Sequence, residues 1–258
     1  IINKAITLVS ADGPGAAVIE GSLLTTLGVP GGIGLDEYFE ANHPAYSAST
    51  GISISSDDVT LDGFTVTGYS IGVNLGSSDG VSIINNVFTD NVTGIRKGTE
   101  AEVTDVTING NTFTNGIHGM NIYAAANGAG AFDGVTMNNN AFSDMSEKGM
   151  YFEQLSNASL TGNSFDGVGN YGRISPPFGG TDGEFGQAID INLKYETYEN
   201  VVFTDTVITN SGHSDQEGAG SPGAFGAAIG VKIRDDGPSY SRNPASSNGQ
   251  IEVHGGSI

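Results

Sequence analysis

Nine polar side chains recur at every second position of four short stretches: Asn121 and Tyr123, Tyr151 and Glu153, Asp190 with Asn192 and Lys194, and Lys232 with Arg234. A spacing of two puts such residues on one face of a β-strand. The set contains the groups that act on sugar polymers. Lyase or epimerase action on a uronan abstracts a proton beside a carboxylate, which needs a cation to neutralise that carboxylate and a positioned base. Lys194, Lys232 or Arg234 could neutralise, and Tyr151 or Tyr195 could serve as acid or base, the latter only if its pKa falls below the ordinary ~10. Hydrolysis needs two carboxylates, about 5 Å apart for retention or about 6.5–9.5 Å for inversion. Glu153 and Asp190 are the candidate pair, because adjacent strands lie ~4.8 Å apart. Catalytic candidates are thus Tyr151, Glu153, Asp190, Lys194, Lys232 and Arg234. Asn121, Tyr123, Asn192, Arg96 and Arg173 are candidates for holding substrate. The competing reading is plain surface chemistry: Lys232 pairing with nearby acids, and Tyr123 stacking on Tyr151 as outward aromatics.

The composition narrows the partners. The chain has 258 residues with 9 Lys+Arg against 29 Asp+Glu, a formal net charge of -20, so it repels nucleic acid and lacks a basic run to track phosphates. No stretch of 18 apolar residues offers a membrane span. With no cysteine there is neither a disulfide framework nor a thiolate metal site. Five of the nine basic residues (Lys148, Arg173, Lys194, Lys232, Arg234) fall in or beside the candidate stretch, which is a concentration in a chain so poor in bases. His118 and His213 have no partner at zinc spacing, and His43 and His254 lie towards the ends. The acidity suits either high salt or a calcium-bearing exterior, and calcium could bind to carboxylates and loop carbonyls, for example around Asp215, Glu217, Asp235 and Asp236, although no EF-hand loop is present.

A repeat positions these residues. Segments at 59–68, 81–91, 106–116, 135–144, 158–167 and 201–212 share alternating apolar positions and a landmark at Phe64, Phe88, Phe113, Phe142, Phe165 and Val207. The landmark gaps are 24, 25, 29, 23 and 42 residues, the spacing of a solenoid. Asp62, Asn86, Asn111, Asn140, Asn163 and Asp205 stand two residues earlier. The alternation has period 2 with no helical stripe, and Gly and Asn punctuate each run, so each unit reads as one coil of a parallel β-helix. An Asn stacked on its equivalents can bond along the stack. A second strand in each coil follows Gly-apolar-x-apolar: GISIS (51–55), GVNLG (72–76), GIRKG (94–98), GMNIY (119–123), GMYFE (149–153), AIDIN (188–192) and AIGVK (228–232), with GIGLD (32–36) opening the series. Its outward rows are Ser53, Asn74, Arg96, Asn121, Tyr151, Asp190, Gly230 and Ser55, Gly76, Gly98, Tyr123, Glu153, Asn192, Lys232. Lys97 falls at an inward position, so either the strand ends at Arg96 or its register slips there.

These Gly/Asn-punctuated coils with Asn-x-Phe landmarks resemble the right-handed parallel β-helix repeats of pectate-lyase-like proteins. The resemblance covers roughly residues 5–258 and implies an all-β fold of about nine or ten right-handed coils. That superfamily holds lyases, epimerases, hydrolases, tailspikes and inert surface proteins, so it does not choose an activity. The epimerases' Asp-Pro-His is absent. The polygalacturonase Gly-His-Gly and Arg-Ile-Lys are only echoed, in Gly116-Ile117-His118-Gly119 and Lys232-Ile233-Arg234.

Inserts at 124–134, 167–187, 212–227 and 235–249 all flank the Gly-apolar-x-apolar strand, so one sheet is walled by long loops, the side on which solenoids bind. The expectation is a single β-helix domain, 1–258, secreted or on the cell surface, that engages and could cleave or epimerise a polysaccharide. The alternative is a non-catalytic adhesin, stalk or surface-layer module. The opening IINKAITLVS and closing GQIEVHGGSI both read as uncapped strands, suggesting a piece of a longer exported protein with flanking domains.

Overall fold

The computed structural model describes residues 1–21, 49–145, 147–169, 186–212, 227–234, 246–247 and 251–257. Every strand pairing among them is parallel, and three long ladders wind around one core as a right-handed parallel β-helix. One ladder has eight strands, from Ile6–Val9 to Ile251–His254. A seven-stranded ladder runs from Ala17–Glu20 through the Asn-x-Phe strands to Val207–Thr209. The third, also seven-stranded, holds the Gly-apolar-x-apolar strands Thr50–Ile54, Ile71–Leu75, Thr93–Lys97, His118–Ile122, Lys148–Phe152, Gln187–Leu193 and Ala227–Ile233. GIGLD (32–36), which would extend the coil count, lies outside the described residues.

The recurrent asparagine closes the turn between the first two ladders. Asn86, Asn111, Asn140 and Asn163 are at most 1% exposed. Asn111 Oδ1 accepts from the Asn86 backbone N–H and from Asn86 Nδ2, at 2.9 and 3.1 Å. Asn140 does the same for Asn111, and Asn163 for Asn140. Each Nδ2 also donates to a carbonyl of the preceding coil, at Leu61, Ile83, Ile108 and Met137, between 2.8 and 2.9 Å. The carboxamide carries a donor and an acceptor on one rigid plane, which is what the buried corner requires.

The residue before each ladder asparagine must adopt positive φ, and the chain supplies Gly63, Asn85, Gly110, Asn139, Gly162 and Asp205 in turn. The alternation has a steric cause. A Cβ on Gly110 would sit 2.9 Å from Asn85 Oδ1, and one on Gly162 would sit 2.6 Å from Asn139 Oδ1. The longer side chain of one coil occupies the space over the glycine of the next. Asp58 and Asp105 hold positive φ at a second corner.

Behind the asparagines, Phe88, Phe113, Phe142 and Phe165 stack with ring centroids 4.5–4.9 Å apart. At the ends of the column the register differs from the landmark reading. Val66 pairs with Phe88, and Ile208 with Phe165, so Phe64 and Val207 are not column members. Phe64 occupies the asparagine position instead, its backbone N–H donating to Asn86 Oδ1, and Thr206 takes that position in the last coil. Asp62 and Asp205 therefore lie outside the asparagine ladder. Residue type misled the alignment where the terminal coils substitute an aliphatic residue for the ring.

The phenylalanine rings explain the glycines across the bore. A Cβ on Gly94, Gly119 or Gly149 would meet Phe113, Phe142 or Phe165 at 2.5–2.7 Å and the next coil's carbonyl oxygen at 2.5–2.7 Å. Where the column ends in Ile208, the matching strand position is Ala188. Both outward rows read from the sequence are reproduced by the strand register.

Two expectations change. The strand neither ends nor slips at Lys97, which pairs in register with Leu75 and Ile122 and is 0% exposed. The insert at 124–134 contains the strand Ala131–Asp133, which forms a short corner ladder with Glu102–Thr104 and Ser78–Asp79.

Replacing Asn140 with Ala strands the Asn111 amide and the Ile108 carbonyl, so a loss of about 3 kcal/mol is expected by urea denaturation, against nearly none for the exposed Ser159→Ala. Gly119→Ala forces a methyl onto Phe142 and should cost about 1–3 kcal/mol. A neutral result at either site removes the ladder or the column from the account.

Candidate functional site

Glycine fixes where the outward rows fall, because the residue two positions after each Gly faces away from the bore. On three coils these residues are Arg96, Asn121 and Tyr151, and on the next coil Asp190 takes the same place after Ala188. The next outward positions bring Tyr123, Glu153, Asn192 and Lys232 alongside. The sheet thus assembles most of the predicted set on one floor.

Glu153 is the hub. Its Oε1 accepts from the Tyr151 hydroxyl at 2.6 Å and pairs with Lys194 Nζ, while Oε2 accepts from the Ala124 backbone N–H at 2.8 Å. The Tyr151 hydroxyl also accepts from Asn192 Nδ2 at 3.0 Å. Burial first, then the Glu153 charge, push the Tyr151 pKa well above its ordinary value. Tyr151 therefore keeps its proton at neutral pH, and its geometry is that of a donor and not of a base.

Asp190 forms a second cluster one coil on. It is 1% exposed and pairs with Lys148 at 2.7 Å and Lys232 at 3.5 Å. The Gln187 carboxamide, turned so that its nitrogen faces Asp190, lies at 2.9 and 3.2 Å. Lys148 Nζ sits 4.3 Å from the Tyr151 ring centroid, which joins the clusters. Tyr123 stands edge-on to Tyr151 at 6.1 Å, with the Arg96 guanidinium 5.5 Å from its ring centroid. Burial, outweighing the opposing Arg96 charge, raises the Tyr123 pKa. Asn121 Nδ2 donates to the Tyr123 hydroxyl at 3.2 Å.

Glu153 and Asp190, considered as a hydrolytic pair, each belong to a separate ion-paired cluster, and both are more than nine-tenths buried. A hydrolase presents one carboxyl to the leaving group and one to the anomeric carbon. Arg234 and Tyr195 lie just past the ends of their strands, half-buried. Arg173, Asp215, Glu217, Asp235 and Asp236, with His43 and His213, fall outside the described residues.

Sequence reasoning missed the support under this floor. Lys97 Nζ donates to Gln154 Oε1 at 2.7 Å and to the carbonyls of Tyr123 at 3.0 Å and Gly98 at 3.2 Å. It thereby ties three coils together beneath Tyr123 and Glu153. Burial lowers its pKa from 10.5 to about 8 against the pull of Glu153 and Glu196. The signal was its break in the inward pattern. Tyr198, 3% exposed, has its pKa raised by burial and donates to the Lys194 carbonyl. His118 pairs with Glu147 at 3.0 Å at the entry to its strand.

A family model described as periplasmic copper-binding protein (NosD) matches residues 35–177, just over half of the chain. No curated protein and no solved structure matches.

Lys97 gives a pH signature. Its folded pKa lies below the unfolded value, so between about pH 8 and 10 the unfolded chain binds the extra proton and stability contributed here rises with pH. The urea midpoint of the wild type should gain on that of Lys97→Met over this window. A difference that stays flat with pH would place Lys97 in water and not in the bore.

Proposed function

We propose that this chain, which belongs to the NosD family, binds a polysaccharide along the face of its seven-stranded Gly-apolar-x-apolar sheet. The observation that carries this reading is the registered floor of Arg96, Asn121, Tyr123 and Tyr151 on consecutive coils, an aromatic and amide surface repeating at the ~4.8 Å strand spacing. Half-exposed tyrosines give a sugar an apolar face together with a polar edge. Placement outside the cytoplasm fits the word periplasmic in the family description. No helix among the described residues is long and apolar enough to cross a membrane.

Copper fits the described residues poorly. Thioether and imidazole ligands are the ones the chain could offer, since it has no cysteine. All four methionines, Met120, Met137, Met145 and Met150, are at most 2% exposed and pack in the bore. His118 and His254 are engaged by Glu147 and Glu252 on separate coils. No cluster of three His, Cys, Asp or Glu among the described residues could hold a metal.

Binding without bond cleavage is the reading favoured by the internal pairing of Glu153 and Asp190. One observation supports a second reading. Tyr151, kept protonated and held between Glu153 and Asn192, has the form of a general acid for a lyase. The test is a panel of alginate, pectate and neutral glycans, with and without calcium, assayed for retention of the protein, for unsaturated-sugar absorbance and for new reducing ends. Retention without product is expected, and Tyr123→Ala should weaken it about tenfold. Absorbance growth that Tyr151→Phe abolishes would establish the lyase instead. A folded protein retained by no glycan would return the chain to the stalk or surface-layer reading.

A further inference from the structure

The floor carries three buried polar atoms with no partner: the acceptors Asn121 Oδ1 and Asn192 Oδ1, and the donor Arg96 Nε. Asn121 is 3% exposed and Asn192 is 7% exposed, yet the Oδ1 of each accepts nothing. The orientation of Asn192 is fixed by proton count. Glu153 is an acceptor paired with Lys194, so it takes the single Tyr151 hydroxyl proton. The Tyr151 oxygen can then only accept from Asn192, which turns Nδ2 towards Tyr151 and Oδ1 away. Asn121 Nδ2 donates to the Tyr123 hydroxyl at 3.2 Å, which leaves its Oδ1 without a donor. Buried acceptors left unmade are uncommon and call for a donor.

We propose, building on the polysaccharide reading above, that the groove is made for a neutral glycan whose hydroxyls donate to Asn121 Oδ1 and Asn192 Oδ1 beside the Tyr123–Tyr151 surface. A sugar hydroxyl is a donor. A uronan also has ring hydroxyls, but its carboxylate is an acceptor only and would face these oxygens with like polarity. The cations that a uronan would need are engaged within the floor: Lys194 with Glu153, and Lys148 and Lys232 with Asp190. Arg96 lies against the Tyr123 ring with its Nε unpartnered, a donor that the oxygen of a sugar hydroxyl can meet while its proton goes to an asparagine. A net charge of -20 adds a long-range field that opposes any polyanion. A site of this kind discriminates by hydrogen bonds to hydroxyls, because a ligand without them leaves the carbonyls unpaired.

Affinity electrophoresis of the whole chain separates the possibilities. The gels contain soluble β-glucan, xylan or galactomannan in one set and polygalacturonate or alginate in the other. Retardation by at least one neutral polymer and by neither uronan is expected. Asn121→Ala and Asn192→Ala should each weaken it about tenfold, with a melting curve confirming the fold. Asn192 also holds Tyr151, so if its variant fails to fold, Asn121→Ala carries the test. Retardation by the uronans alone overturns the neutral-glycan inference and leaves the polysaccharide reading standing. Retardation by neither set overturns both. Neutral-glycan binding unchanged by a folded Asn121→Ala overturns the assignment of these acceptors.

Discussion

The contact between a column of phenylalanine rings and a column of glycines sets the geometry of this molecule. Phe88, Phe113, Phe142 and Phe165 press so closely on Gly72, Gly94, Gly119 and Gly149 that no Cβ fits between ring and strand. Each ring fixes one glycine, and each glycine fixes the phase of the strand that follows it. Arg96, Asn121 and Tyr151 face outward because they stand two residues beyond a glycine that cannot move. The asparagine ladder locks the same coils from the neighbouring corner, since each Oδ1 must meet the amide of the coil before it. Core packing and corner hydrogen bonding therefore enforce one register, and the floor inherits it.

Electrostatics then divides the floor from the rest of the surface. The chain is strongly acidic, yet several of its few bases gather on the Gly-apolar-x-apolar sheet. Lys148, Lys194 and Lys232 neutralise Asp190 and Glu153 internally, so charge is consumed in building the floor. Buried pairs of this kind are costly to break singly, because each partner would be left as an isolated charge. What remains towards a ligand is amide, aromatic and hydroxyl character. That balance favours recognition over catalysis and hydroxyls over carboxylates. Lys97 supports the arrangement from below, where a lysine inside the bore reaches the carbonyl of Tyr123 and the side chain of Gln154.

The fold was legible because a solenoid writes its contacts into a period. Asn-x-Phe and Gly-apolar-x-apolar each recur once per coil, so the outward rows could be listed residue by residue and the strand register agrees with them. The reading failed at the column ends, where Val66 and Ile208 replace the ring and the nearest landmark-like residue drew the alignment aside. It also hesitated at Lys97, since alternation treats an inward charge as an error. Whether such a charge is tolerated depends on the acceptors that other coils place around it.

The sequence by itself determined the β-helix, its corners and which side chains share the floor, because period and steric demand act between residues one coil apart. Only the tertiary structure decided what those side chains do to one another. The choice of Lys194 for Glu153 and of Lys148 and Lys232 for Asp190 depends on side-chain reach across coils 40 or so residues apart in sequence. The protonated state of Tyr151 and the two unpartnered asparagine oxygens follow from that pairing and from burial. Partner choice and desolvation are set by three-dimensional neighbourhood, which strand alternation does not encode.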